Sequence, residues 1–152
     1  MIRIVCLYGL FALSVAFLSE GPCDLEPARG GSHRDANYTA KIRVPKSCTN
    51  GTFVWHYPGG NVYLLFKDYK RSTAVCFRTP FGDNIFKIYD ATSGHKMRLL
   101  PIPERNNDKS VCTTAAVGRR LKIRVYAEPI YYMGKFAFYL VFAPSSATMY
   151  PL

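Results

Sequence analysis

The sequence predicts an all-β fold, an antiparallel β-sandwich stapled by two disulfides, and three observations lead there. Short segments in which polar and apolar residues alternate recur along most of the chain. Clusters of Pro, Gly, Asn and Asp separate them at the spacing of turns. Four cysteines follow an N-terminal leader, an even set that an oxidising compartment would pair.

The leader comes first. Met1, Ile2 and Arg3 precede an apolar run over 4–17 that is too short and too weakly flanked for a membrane span, so residues 1–20 read as a secretory signal peptide. Cleavage falls after Ala16, with Ser14 as the small residue two positions earlier, or a few residues later, before Cys23. No second apolar segment of spanning length follows, and residues 145–152 form a short tail without a lipid-anchor signal. The expected product is soluble and extracellular. Losing the leader removes Cys6 and leaves Cys23, Cys48, Cys76 and Cys112, for which three pairings are formally open. The cysteine and histidine spacings contain no CxxC or HxxxH pair, which argues against zinc.

Residues 21–144 suit one domain. Hydrophobic residues make up 49% of the chain, enough for a packed core. The net charge is +10, and the leader removes one charge of each sign, Arg3 and Glu20, so the balance persists. Outside the cell nucleic acid is not an expected partner, and the positive balance leaves sulfated glycans, acidic receptor faces and anionic surfaces.

In chain order, residues 22–36 are an aperiodic polar lead-in around Cys23, read as loop. Lys41-Ile42-Arg43-Val44 alternates charged and apolar residues as a half-buried strand does, and the same four letters recur at Lys122-Ile123-Arg124-Val125. Further strands are expected over 52–57, 62–67, 73–78, 85–89, 96–100 and 135–142. Turns are expected at Pro58-Gly59-Gly60-Asn61, over 79–84 and at Thr92-Ser93-Gly94. Phe53, Trp55 and Tyr57 share one face of their strand. Pro58 presets the first angle of a type II turn and Gly59 tolerates the positive angle that follows, so the chain should reverse there as a hairpin, with Trp55 anchoring the core beside it. Asn37-Tyr38-Thr39 and Asn50-Gly51-Thr52 are glycosylation sequons, which place Asn37 and Asn50 on exposed backbone.

Several of these residues together resemble a known family. Cys48, then Val54-Trp55-His56-Tyr57-Pro58-x-Gly60, Cys76-Phe77-Arg78, Ile88-Tyr89-Asp90, Gly94, Leu99-Leu100-Pro101, Cys112 and Gly134-Lys135-Phe136-Ala137-Phe138-Tyr139 resemble the N-terminal CUB-like module of the meteorins. The resemblance runs from about Cys23 to Pro144. It implies a CUB-like sandwich, disulfides Cys23–Cys48 and Cys76–Cys112, and a secreted ligand acting on cells. Meteorins carry a second, netrin-like domain that this sequence lacks, so activities housed there do not transfer.

CUB domains also raise calcium, which needs several oxygen ligands. Asp68 and Asp90 are the candidates, but cations surround Asp68, and Asp90 precedes a turn whose amides its carboxylate can accept. No metal or other cofactor is expected. His33, His56 and His95 fall in the lead-in, a strand and a turn, with no nucleophile or metal-ligand spacing near them, so a non-enzymatic protein is expected.

Two features suit binding. Lys41 and Arg43 on one strand, Lys122 and Arg124 on another, and Arg119 and Arg120 just before the latter would merge into a strip for sulfates or carboxylates if the strands share a sheet face. The strand over 135–142 is apolar on both sides: Phe136, Phe138, Leu140 and Phe142 on one, Ala137, Tyr139 and Val141 on the other. The second side is expected either beneath the 126–133 loop or on a partner surface. The functional expectation is a secreted, non-enzymatic, meteorin-like module that engages a cell-surface receptor or other extracellular protein. The alternative is a spermadhesin-like single CUB domain that binds sulfated glycosaminoglycans or coats cell surfaces.

Overall fold

The computed structural model describes residues 21–27, 37–78, 85–101, 110–129 and 133–143. The leader, the tail over 145–152, His33 and the turn over 79–84 lie outside them. The described chain is all β: β1 (Asp24–Leu25), β2 (Thr39–Arg43), β3 (Asn50–His56), β4 (Gly60–Asp68), β5 (Thr73–Arg78), β6 (Phe86–Asp90), β7 (Arg98–Leu99), β8 (Val111–Cys112), β9 (Arg120–Ala127) and β10 (Met133–Phe142).

These strands form two five-stranded sheets, ordered β1-β3-β10-β5-β8 and β2-β4-β9-β6-β7. The central pairings are antiparallel as expected, but one edge of each sheet is a parallel pair, β1 with β3 and β2 with β4. Two short strands escaped the sequence reading: β1 lies inside the stretch expected to be loop, and β8 is only two residues long. The strand expected over 96–100 contracts to Arg98–Leu99.

Alternation decides which side chains enter the space between the sheets. Phe53, Trp55, Phe77, Phe136 and Phe138 come from the first sheet, and Val62, Leu64, Phe66, Phe86, Ile123 and Val125 from the second, all 6% exposed or less. Their rings interlock. Phe53 stacks on Phe136 with centroids 4.9 Å apart, Phe77 meets Phe136 edge-on at 5.5 Å, and Trp55 lies parallel to Phe86 at 6.3 Å. Offset and edge-to-face contacts of this kind add to the area term of burial.

The expected hairpin at Pro58 is instead a corner between the sheets. Strand β3 belongs to the first sheet and β4 to the second. The positive φ angles fall on Tyr57, at 52°, and Gly60, at 92°, rather than on Gly59. A Cβ on Gly59 would press on Pro129, so that glycine serves close packing instead. Among the described strands only β6 and β7 follow each other within one sheet; every other step from strand to strand changes sheet.

Both disulfides are present. Cys23–Cys48 ties the lead-in to the residues before β3, and Cys76–Cys112 joins directly opposed residues of β5 and β8. These are the two pairings that the family resemblance implied. Two such bridges are at home in an oxidising compartment. No helix among the described residues is long and apolar enough to cross a membrane.

Candidate functional site

The outer face of the second sheet carries the cationic residues. Strand β4 lies between β2 and β9, and its register aligns them: Lys41 pairs with Tyr63, which pairs with Arg124, and Arg43 pairs with Leu65, which pairs with Lys122. Paired residues point to the same side of a sheet. Lys41, Arg43, Lys122 and Arg124 therefore share one surface, while Leu121, Ile123 and Val125 between them are fully buried. Arg120 continues the β9 row opposite Asp68. Arg119 is exposed just outside the strand.

Tyrosines sit between these cations. Tyr63, Tyr89 and Tyr126 face outward from β4, β6 and β9, joined by Lys87 of β6 opposite Tyr126. The Lys122 ammonium lies 4.6 Å from the Tyr63 ring centre, and the Arg124 guanidinium lies 5.1 Å from Tyr89 and 5.7 Å from Tyr126. Cations held over ring faces are attracted by the ring quadrupole and lose some rotamer freedom. Arg124 is fixed most fully, because its Nε–H also donates to Asn61 Oδ1 at 2.7 Å. Sequence reasoning missed these tyrosines, Lys87 and Asn61. The signal was available in the alternation of Asn61-Val62-Tyr63-Leu64 and Phe86-Lys87-Ile88-Tyr89, where Asn61 and Tyr63 share one parity and Lys87 and Tyr89 share one parity, opposite to their apolar neighbours.

Acidic groups stand at the margins of this face. Glu128 lies beyond the end of β9, where its carboxylate accepts the Tyr126 hydroxyl at 2.9 Å and approaches Lys87 Nζ at 4.0 Å. That hydrogen bond is the main cause pushing the Tyr126 pKa above the ordinary phenol range. Asp68 stands at the opposite end, facing Arg120 in register. Among the described residues no carboxylate interrupts the rows between them.

Asp90 is buried, and its carboxylate accepts backbone N–H groups from Thr92 at 3.0 Å and Thr114 at 3.1 Å. It organises a turn and a neighbouring loop, and no group of three potential metal ligands occurs among the described residues. His56 is exposed, with Nε2 3.7 Å from Glu26 Oε1. His95 lies exposed in the turn after β6.

The outer face of the first sheet is different. Ala137 and Tyr139 of β10 are half-buried, and they help to floor an open trough with Gly51, Thr52 and Arg78. Of the 126–133 segment expected to cover them, Tyr126 and Ala127 belong to β9 and Met133 begins β10, and residues 130–132 lie outside the described ones. Phe136, Phe138 and Leu140 of the same strand are buried as expected, while Phe142 remains 37% exposed.

Asn50 is exposed at the start of β3, opposite Tyr139, and Asn37 is exposed before β2. Two residues of the Asn50 sequon have structural duties of their own. A Cβ on Gly51 would overlap the Cys23 carbonyl and the Phe138 ring, and the Thr52 hydroxyl donates to Asp24.

Comparison with known proteins finds no matching family model and no matching curated protein. Among solved structures, the chain is similar to the periplasmic inhibitor of g-type lysozyme PliG from Aeromonas hydrophila, with a TM-score of 0.45, 11% identity, and coverage of 78% of this chain and 99% of that one. It is also similar to the pre-peptidase C-terminal domain of a Bacillus anthracis collagenase, with a TM-score of 0.41, 11% identity, and coverage of 68% of this chain and 95% of that one.

Proposed function

We propose that the chain is a secreted, non-enzymatic binding module, resembling the N-terminal module of the meteorins, that engages a cell-surface or other extracellular partner. The outer face of the second sheet holds sulfate or carboxylate groups of that partner. One observation carries this reading: Lys41, Arg43, Lys122 and Arg124 lie in register on one sheet face, with Arg124 fixed by Asn61. Arginine presents paired donors in a planar fork that matches such anions, and a held guanidinium loses less freedom on binding. An open strip of charges three strands across suits an extended partner better than a small enclosed ligand.

Two partner classes meet this description, sulfated glycans and an acidic receptor surface, and one experiment separates them. Wild-type protein and a variant with Lys41, Arg43, Lys122 and Arg124 all changed to Gln are compared for heparin retention and for saturable binding to cells with and without sulfated glycans. The variant should remain folded, because exposed substitutions usually change stability by no more than about 0.5 kcal/mol each, with Arg124 costing more for its bond to Asn61. Heparin retention should collapse and wild-type binding should weaken steeply with salt. Saturable binding to glycan-deficient cells that the variant loses points to a receptor. A folded variant that keeps both interactions unchanged overturns the assignment of this face.

A further inference from the structure

Four stretches far apart in sequence converge at one end of the sandwich: the turn after β2, the end of β4 with its connection to β5, the residues leading into β9, and the end of β10. Backbone hydrogen bonds join the last three. The Gly118 N–H donates to the Tyr69 carbonyl at 3.1 Å, and the Ala143 N–H donates to the Ser72 carbonyl at 2.8 Å. Between them lies a cleft of about 580 Å3 lined by Lys46, Lys67, Lys70 and Arg71, with Tyr69 and Phe142 as its apolar wall. Asp68 is the single carboxylate in that lining among the described residues.

The lining combines two unspent capacities. Lys46, Lys67, Lys70 and Arg71 are exposed, and among the described residues none of them is paired with a carboxylate. Like charges gathered around one cleft repel each other, and an arriving anion relieves that repulsion. Phe142 meets Tyr69 edge-on at 5.6 Å, yet remains 37% exposed, so its outer side is open to an apolar group. A solvated charged loop explains Lys67, Lys70 and Arg71, which lie within one run of five residues, but not the approach of Lys46 from the turn after β2 or the uncovered aromatic beside them.

We propose that this cleft is a second anion-binding centre, separate from the sheet face, for a sulfate, phosphate or carboxylate carried on an apolar body. The cations take the anionic head and Phe142 takes the body. A sulfated tyrosine within an acidic peptide of a protein partner carries both parts, and the four cations against one carboxylate in the lining suit the acidic flanks of such a peptide.

The test titrates the secreted chain with inorganic sulfate, a short peptide carrying O-sulfotyrosine, and octyl sulfate below its micelle concentration, followed by calorimetry and amide NMR shifts. The sulfotyrosine peptide should bind at least about tenfold tighter than inorganic sulfate, with shifts centred on Lys70, Arg71, Gly118 and Phe142. Lys70→Gln with Arg71→Gln should weaken that binding by about tenfold or more, whereas Lys41→Gln with Lys122→Gln should leave it within about twofold. Phe142→Ser should bring the organosulfates down to the affinity of inorganic sulfate. If circular dichroism shows that variant unfolded, the Lys70 and Arg71 pair, both exposed, decides alone. Tighter binding of the peptide than of octyl sulfate supports a protein partner, and tighter binding of octyl sulfate overturns that occupant in favour of an amphiphile. Equal affinity for sulfate and both organosulfates, or equal weakening by the two Gln pairs, overturns the proposal.

Discussion

Trp55 is 5% exposed, parallel to Phe86, edge-on to Phe53 at 6.2 Å and in reach of Tyr38 at 6.0 Å. It belongs to the core, as the parity of its strand implied. Trp55→Ala should therefore lower stability by about 3 to 5 kcal/mol, the range of large aromatic truncations in cores, and reduce secretion. Chemical denaturation of the purified variant measures this; an unchanged midpoint would place the indole outside the packed interior. Arg124 teaches the opposite lesson at the same scale. Its sequence context shows a charged residue facing outward, but not that Asn61, 63 positions away, fixes its guanidinium, because that contact depends on which strands become neighbours.

At the scale of elements, alternation was legible and connection was not. The strand over 73–78 was read with its observed bounds, and β3, β4, β6, β9 and β10 were each found within a few residues, since side-chain parity is written locally. A tight turn between two alternating segments looks the same whether the chain folds back beside itself or steps across to the facing sheet. The corner at 57–60 was misread for that reason. Strands β1 and β8 carry two residues each, too few for a period, and exist because longer neighbours offer them hydrogen bonds. The cationic strip was half legible: both Lys-Ile-Arg-Val segments point their cations outward, but their placement on either side of β4 comes from topology. Gly134 shows what such topology demands of a single position. It pairs with Trp55, and a Cβ there would overlap Ile85 and the Phe86 ring. Gly134→Ala should cost about 1 to 3 kcal/mol as overpacking does, seen as a lower thermal midpoint. A variant as stable as wild type would mean that Phe86 moves aside freely.

For the whole molecule, the bridges set how much stability resides outside the core. Cys23–Cys48 and Cys76–Cys112 are 25 and 36 residues apart in sequence, so each loop closure is worth roughly 3 to 4 kcal/mol in the chain-entropy model. Replacing either pair with Ala should lower the denaturation free energy by about that amount, while non-reducing peptide mapping of the wild type recovers only these two pairings. A Cys48–Cys76 peptide would contradict both. The charge distribution is also a property of the whole: among the described residues one sheet face and one adjoining end carry an excess of cations, so polyanions should meet the molecule in a preferred orientation at low salt.

The strand order has a consequence for the making of the protein. Strands β9 and β10 follow each other near the end of the described chain, and each is the middle strand of its sheet. Without them the described strands reduce to four separate pairs, β1 with β3, β5 with β8, β2 with β4, and β6 with β7. A ribosome delivers those pairs first, every one of them with bare edges and one greasy face. The segment over 120–142 then arrives and closes both layers at once, as a zip fastener closes two rows of teeth. Up to that moment the nascent chain is a natural client for the chaperones of its compartment, and its assembly belongs with the slow, non-local folders.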